Sequence, residues 1–158
     1  MVVPQTSSIK YLGVKITSNF NWLEQIQYIA KKISKNLGIL NKHKSLYPKT
    51  ILMNLYFTLI YPYLIYCNII WGGNIKSHVA ILKKCQNDFI RILYNLPRYE
   101  HISYFFNKSE LLSLSHIHIL RIFILLHKLI SIKQFPYFIQ YLIESSSIVN
   151  KTTRHTSD

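Results

Sequence analysis

Between Trp22 and Leu40 the apolar residues Trp22, Ile26, Ile29, Ile33, Leu37 and Leu40 recur at steps of three and four. That spacing puts them on one stripe of an α-helix of roughly five turns. Lys31, Lys32, Lys35 and Lys42 fall mainly off the stripe, on the side left to solvent. Gly38 costs some helicity but does not by itself end the helix. "HKSLYPK" breaks the pattern, and Pro48 suits the first position of a second helix, where a missing N–H is no loss.

That second stretch, "PKTILMNLYFTLI", runs into "YPYLIYCNIIWGG". Pro62 removes a backbone donor, so the helix is expected to kink or divide near Tyr61, and "GGN" ends it. A third helix follows in "HVAILKKCQNDFIRILYNLP", with Val79, Leu82, Cys85 or Gln86, Phe89 and Leu93 inward. Lys83, Lys84 and Arg91 take its outer face, and Pro97 closes it. "RYEHISYFFNKSELLSLS" reads as loop with short helical turns. "HIHILRIFILLHKLIS" is apolar over most of its circumference, the pattern of a buried fourth helix. "FPYFIQYLI" fits a last short helix, and "ESSSIVNKTTRHTSD" is a polar tail.

Before the first helix, "SSIKYLGVKITSN" alternates over Ile9, Tyr11, Val14 and Ile16, with Gly13 supplying a permissive backbone for a strand–turn–strand. Only four Gly and five Pro in 158 residues disfavour a sandwich or barrel, which needs turn residues at every hairpin. The expected fold is therefore mainly α, a helical bundle preceded by a short β-hairpin. Residues 1–19 form the lead-in and hairpin, 20–144 the helical domain and 145–158 the tail.

Charge is the strongest pointer to a partner. Nineteen Lys and Arg stand against six Asp and Glu, a net +13 with His neutral. Such an excess opposes compaction and favours a polyanion, nucleic acid or an anionic membrane surface. A bias in base composition toward Lys, Asn and Tyr codons accounts for part of it. Residues 10–50 hold eight Lys and one acid, Glu24, whereas residues 51–75 hold no charge of either sign. Lysines neutralise phosphates and Tyr and Trp rings stack on bases or sugars, although most of the Tyr and Phe residues fall at core spacing.

Other chemistries find little support. Asp88 and Asp158 are the only aspartates, and no acidic pair lies at the close spacing that two-metal phosphoryl chemistry requires. His116 and His118 lie about 200° apart on a helix, too far round to share a metal. Cys67 and Cys85 lack CxxC or Cys/His clustering and suit small buried hydrophobes in a reducing, cytoplasmic or nuclear setting. "MVVPQTSSIK" has neither the basic nor the apolar region of a signal peptide. Neither a catalytic nor a metal-binding residue is expected. Ile51 to Trp71 is long enough to span a bilayer, yet Asn54, Thr58, Asn68 and Pro62 interrupt it and its tyrosines are spread along it. A membrane anchor there is an alternative, and a disfavoured one.

Four blocks in order resemble the region after the catalytic palm in reverse transcriptases of non-LTR retrotransposons, the jockey-like class above all. "IKYLGVKITSNFNWLEQIQYIAKKISKNLGIL" is similar to that family's "KYLGV" strand–turn, its "W…HI" and the helix ending in "G.L". "YPYLIYCNIIWGG", "LKKCQNDFIRILYNLPRY" and "TTRH" resemble the family's next three blocks, so the likeness spans roughly residues 9–155. It implies a primer-grip hairpin at Tyr11, Leu12 and Gly13, and a helical thumb that holds an RNA/DNA template–primer duplex. Lys31, Lys32 and Lys35 are then the expected phosphate contacts, while Tyr66, Trp71 and Gly72 are a packing signature. The family's "YADD"-like motif, which holds Mg²⁺ in the parent polymerase, has no counterpart here, and its "HI" reads Gln25-Ile26. The implied protein is a fragment of an RNA-directed DNA polymerase, not an enzyme on its own and without a cofactor, whose palm domain is encoded upstream or lost. A non-functional translated relic is the other alternative.

Overall fold

A computed structural model describes residues 7–74 and 76–132. The segments expected to form a last short helix and a polar tail lie outside the described residues. The fold is mainly α with an N-terminal hairpin, as the periodicities predict. By internal contacts the chain divides into a unit Met1–Arg121 and a unit Ile122–Asp158.

Strands β1 (Ser8–Tyr11) and β2 (Val14–Thr17) pair antiparallel, with Lys10 opposite Lys15 and Tyr11 opposite Val14. The register leaves a two-residue turn in which both Leu12 (φ 46°) and Gly13 (φ 82°) are left-handed, the geometry whose twist matches a hairpin. The expected alternation holds along neither strand: β1 is exposed throughout, and in β2 Val14 is buried while Lys15, Ile16 and Thr17 are all half-buried. Val14 is buried, but Ile9 and Tyr11 are exposed, because helix α1 (Leu23–His43) packs against β2 and β1 is an uncovered edge.

Helix α1 (Leu23–His43) buries Ile26, Ile29, Ile33, Leu37 and Leu40, the predicted stripe, and Trp22 is half-buried just before it. The Asn21 side chain accepts the Leu23 N–H at 3.0 Å at its start, and the helix runs through Gly38. A 3-10 turn, Lys44–Leu46, leads to α2 (Lys49–Leu59), with Pro48 one residue before the helix and not inside it. Helices α3 (Tyr61–Ile65) and α4 (Asn68–Trp71) follow. The uncharged run is thus broken twice, at Ile60 before Pro62 and at Cys67, whose φ is 50°. Its inward face is Leu52, Tyr56, Ile60, Leu64, Asn68 and Trp71, so residues 51–71 form core-facing turns and no continuous span.

Helix α5 (Lys76–Tyr94) buries Leu82, Cys85, Gln86, Phe89 and Leu93, with Val79 half-buried. Asn95 (φ 53°) ends it, a conformation Asn tolerates, and the Leu96 N–H returns to the Arg91 carbonyl at 2.9 Å. Burial pushes the Cys85 thiol up, with a bond to Ser34 opposing, so it stays protonated at neutral pH. Cys67 is only half-buried. Helix α6 (Ser103–Lys108) supplies the short helical turn expected after Pro97.

Helix α7 (Leu114–Ile132) departs from expectation. Leu114 and Ile117 are buried, but Ile119, Leu120, Phe123, Leu126 and Ile130 are exposed. Its window Leu114–Ser131 is long and apolar enough to cross a bilayer. Periodicity shows only how much of a helix is apolar, not which of its apolar residues the fold buries. The aromatic residues were also expected mostly inside. Trp71, Tyr56 and Phe89 are fully buried, but Tyr47, Phe57, Tyr66 and Tyr104 are exposed.

The buried polar side chains Gln86 and Asn68 tie helical segments to one another. Gln86 donates to the Tyr56 hydroxyl (3.0 Å) and the Leu112 carbonyl (3.2 Å), and accepts from the Leu114 N–H (2.9 Å). Asn68 donates to the Leu64 carbonyl at 2.9 Å and meets His118 Nδ1 at 3.0 Å. Gly72 completes that corner, since a Cβ there would lie 2.5 Å from both the Asn68 carbonyl oxygen and His118 Nδ1.

Replacing Gly72 with Ala should therefore cost about 1–3 kcal/mol in urea unfolding. Gly73→Ala should cost less, because the nearest atom to its Cβ is His118 Nε2 at 3.3 Å. Equal effects would remove the steric explanation. A second expectation concerns Tyr56, whose burial raises its pKa from 10.0 to about 12 despite the Gln86 bond. The folded state then holds the proton more tightly than the unfolded state. That contribution is whole below pH 10 and is lost as pH rises toward 12. Over that window the wild type should lose up to about 1.4 kcal/mol more per pH unit than Tyr56→Phe in denaturant titrations.

Candidate nucleic-acid interface

Three ammonium groups converge on one ring. Lys10 of β1 and Lys15 of β2 lie 5.8 Å from the Tyr28 centroid, and Lys32 of α1 lies 5.6 Å from it. Lys10 and Lys15 are direct cross-strand partners, an arrangement that like charge destabilises. Lys32 arrives because it sits one helical turn after Tyr28. The ring quadrupole attracts each cation, but it does not cancel their mutual repulsion. An anion seated among them would.

Beside this cluster an apolar cavity of about 310 Å³ is walled by Tyr28, Tyr63 and Tyr66, with Gly13, Gln25 and Pro62 on its margin. The hairpin is fixed over it at two points. Its backbone N–H at Lys15 donates to the buried Gln25 Oε1 at 2.9 Å, and the Tyr66 hydroxyl donates to the Leu12 carbonyl. A Cβ at Gly13 would touch the Tyr66 ring at 3.7 Å. Desolvation raises the Tyr66 pKa, with Cys67 the next contributor. Tyr66 is therefore not the core residue that its position suggested. It is 50 % exposed and braces the turn, while Trp71, at 0 %, does the core packing and donates to the Tyr66 carbonyl at 2.9 Å.

Of the predicted contacts, Tyr11, Leu12 and Gly13 are exposed at the turn, and Lys31, Lys32 and Lys35 are exposed on α1. Only Lys32 joins the Tyr28 cluster. Lys10, Lys15, Tyr28, Tyr63 and Tyr66 escaped sequence reasoning. Two of them were legible: a two-residue turn at Leu12-Gly13 forces Lys10 opposite Lys15. The convergence on Tyr28 depends on how the hairpin docks, which no local pattern states.

Among the described residues no group of three or more His, Cys, Asp or Glu could hold a metal ion. His116 is exposed and His118 is engaged with Asn68. The arrangement can neutralise phosphates and offer aromatic faces to bases or sugars. The chain matches no protein-family model, no curated protein and no solved structure.

Leu12 holds a left-handed conformation with a side chain 73 % exposed. Asn is better suited to that position, so Leu12→Asn should stabilise the protein by about 0.5–1 kcal/mol in thermal or urea unfolding. A loss of stability would mean that the leucine makes a packing contact of its own.

Proposed function

We propose that this chain is a nucleic-acid-gripping module, the thumb region of a reverse transcriptase of the non-LTR retrotransposon type. On this reading the hairpin and α1 hold an RNA/DNA template–primer duplex through its backbone. The observation that carries it is the convergence of Lys10, Lys15 and Lys32 on Tyr28, beside a cavity walled by tyrosines. Three lysines drawn from three elements form a cationic centre whose repulsion a phosphate relieves. Lys31 and Lys35 extend the positive surface along α1. The net charge of +13 supplies the long-range attraction that brings a polyanion to it.

On this reading the module contributes grip and not chemistry, and polymerisation with its Mg²⁺ belongs to a palm domain that is encoded elsewhere or lost. Its setting is the cytoplasm or nucleus, where the template resides. Recognition of this kind reads phosphates and shape, with little dependence on base sequence.

Binding of a hybrid duplex should weaken steeply with salt. The triple variant Lys10→Gln, Lys15→Gln, Lys32→Gln should flatten the log–log salt slope by up to about three. Fluorescence anisotropy across a salt series measures it. An unchanged slope, or wild-type affinity indifferent to salt, would overturn the reading.

A further inference from the structure

On another face of α1 a second cleft, of about 610 Å³, opens between α1 and α5. Four cations line it from three separate segments: Lys44 after α1, Lys84 and Arg91 on α5, and Arg98 beyond it. Asp88 is the one carboxylate in the lining, and among the described residues none of the four cations is engaged in a salt bridge. Asp88 has Lys84 and Arg91 as helical neighbours at i−4 and i+3, so it offsets about one charge and leaves roughly three. Like charges gathered without counter-ions raise the free energy of the fold, and a bound anion lowers it.

The wall of the cleft is built. Arg91 Nη1 donates to the Pro97 carbonyl at 2.5 Å, and the left-handed Asn95 with the Leu96–Arg91 bond holds the turn that carries Arg98. A guanidinium has five N–H donors, so this tie leaves others for a ligand. Ser34, Asn41 and Asn87 add neutral hydrogen-bonding groups.

Gly38 gives an independent sign. It sits inside a 21-residue helix, where Gly costs about 1 kcal/mol relative to Ala. Neither a positive φ nor a close helix crossing requires it, because a Cβ there would meet nothing within 4 Å. It lines the cleft instead, and its missing side chain keeps that space clear.

We propose that this cleft binds a contiguous di- or triphosphate group. The volume falls in the small-ligand range and exceeds what one phosphate fills. The remaining charge of about three matches a short polyphosphate. The lining holds no aromatic ring, so it offers no platform for a base, and the phosphates carry the recognition. The group can arrive as free inorganic polyphosphate or as the tail of a nucleotide.

Calorimetric titration of the full chain with inorganic triphosphate, with ATP and with a single-stranded oligonucleotide tests this. One saturable site for triphosphate is expected. ATP matching it would assign the nucleotide tail as a source, and triphosphate alone would assign the free anion, either outcome supporting the site. Arg98→Gln, an exposed change that leaves the fold alone, and Lys84→Gln should each weaken triphosphate binding about tenfold. Gly38→Leu should block the cleft without lowering the unfolding midpoint. The Lys10, Lys15, Lys32 triple variant should bind triphosphate as the wild type does. The proposal is overturned by absent or non-saturable triphosphate binding, by wild-type affinity in Gly38→Leu or Arg98→Gln, or by binding of the oligonucleotide alone.

Discussion

The buried stripe of α1 meets that of α5 in the most extensive contact between helices among the described residues, and α2 packs against both. Burying each large aliphatic side chain of the seam contributes about 1.5–3 kcal/mol, without dictating a unique alignment. The alignment comes from polar atoms sealed inside. Gln86 bonds to Tyr56 of α2 and to the backbone on both sides of Ser113, so three segments must meet at one point to satisfy one side chain. Leaving any of these groups unpaired costs more than the bond itself contributes, which excludes nearby alternatives.

Gln25 does for the hairpin what Gln86 does for the helices. A two-stranded hairpin is marginal alone, and this one exposes all of β1. The bond from the Lys15 N–H to Gln25 and the brace from Tyr66 to Leu12 hold it against the helical body. The backbone that carries its lysines is thereby held beside Tyr28, and a segment positioned beforehand loses less entropy when it meets a ligand.

The chain's excess of positive charge is not spread evenly. Residues 51–71, which carry none, turn an inward face to the core, while lysines and arginines gather at the hairpin and along the α1–α5 cleft. Both gatherings place like charges together where separation would lower the energy. The polyanion binding proposed for each would relieve that repulsion, by stacking-assisted backbone contact at the first and by phosphate alone at the second.

Local patterning by itself determined much of this protein. The α1 stripe, the inward residues of α5, the break at Pro62 and the hairpin at Leu12-Gly13 all follow from backbone and packing rules that act within a few residues. So did the basic character of the surface. Tertiary structure decided the rest. Tyr66, expected in the core, is an exposed brace: it leaves α3 in an extended conformation and its hydroxyl donates to the Leu12 carbonyl, a partner 54 residues away. Leu114 and Ile117 of α7 are buried while Ile119 and Leu120 are exposed, a difference that a uniformly apolar sequence does not encode. Lys10, Lys15 and Lys32 became one centre only when Gln25 docked the hairpin, since groups distant in the chain meet through long-range contacts that no local periodicity encodes.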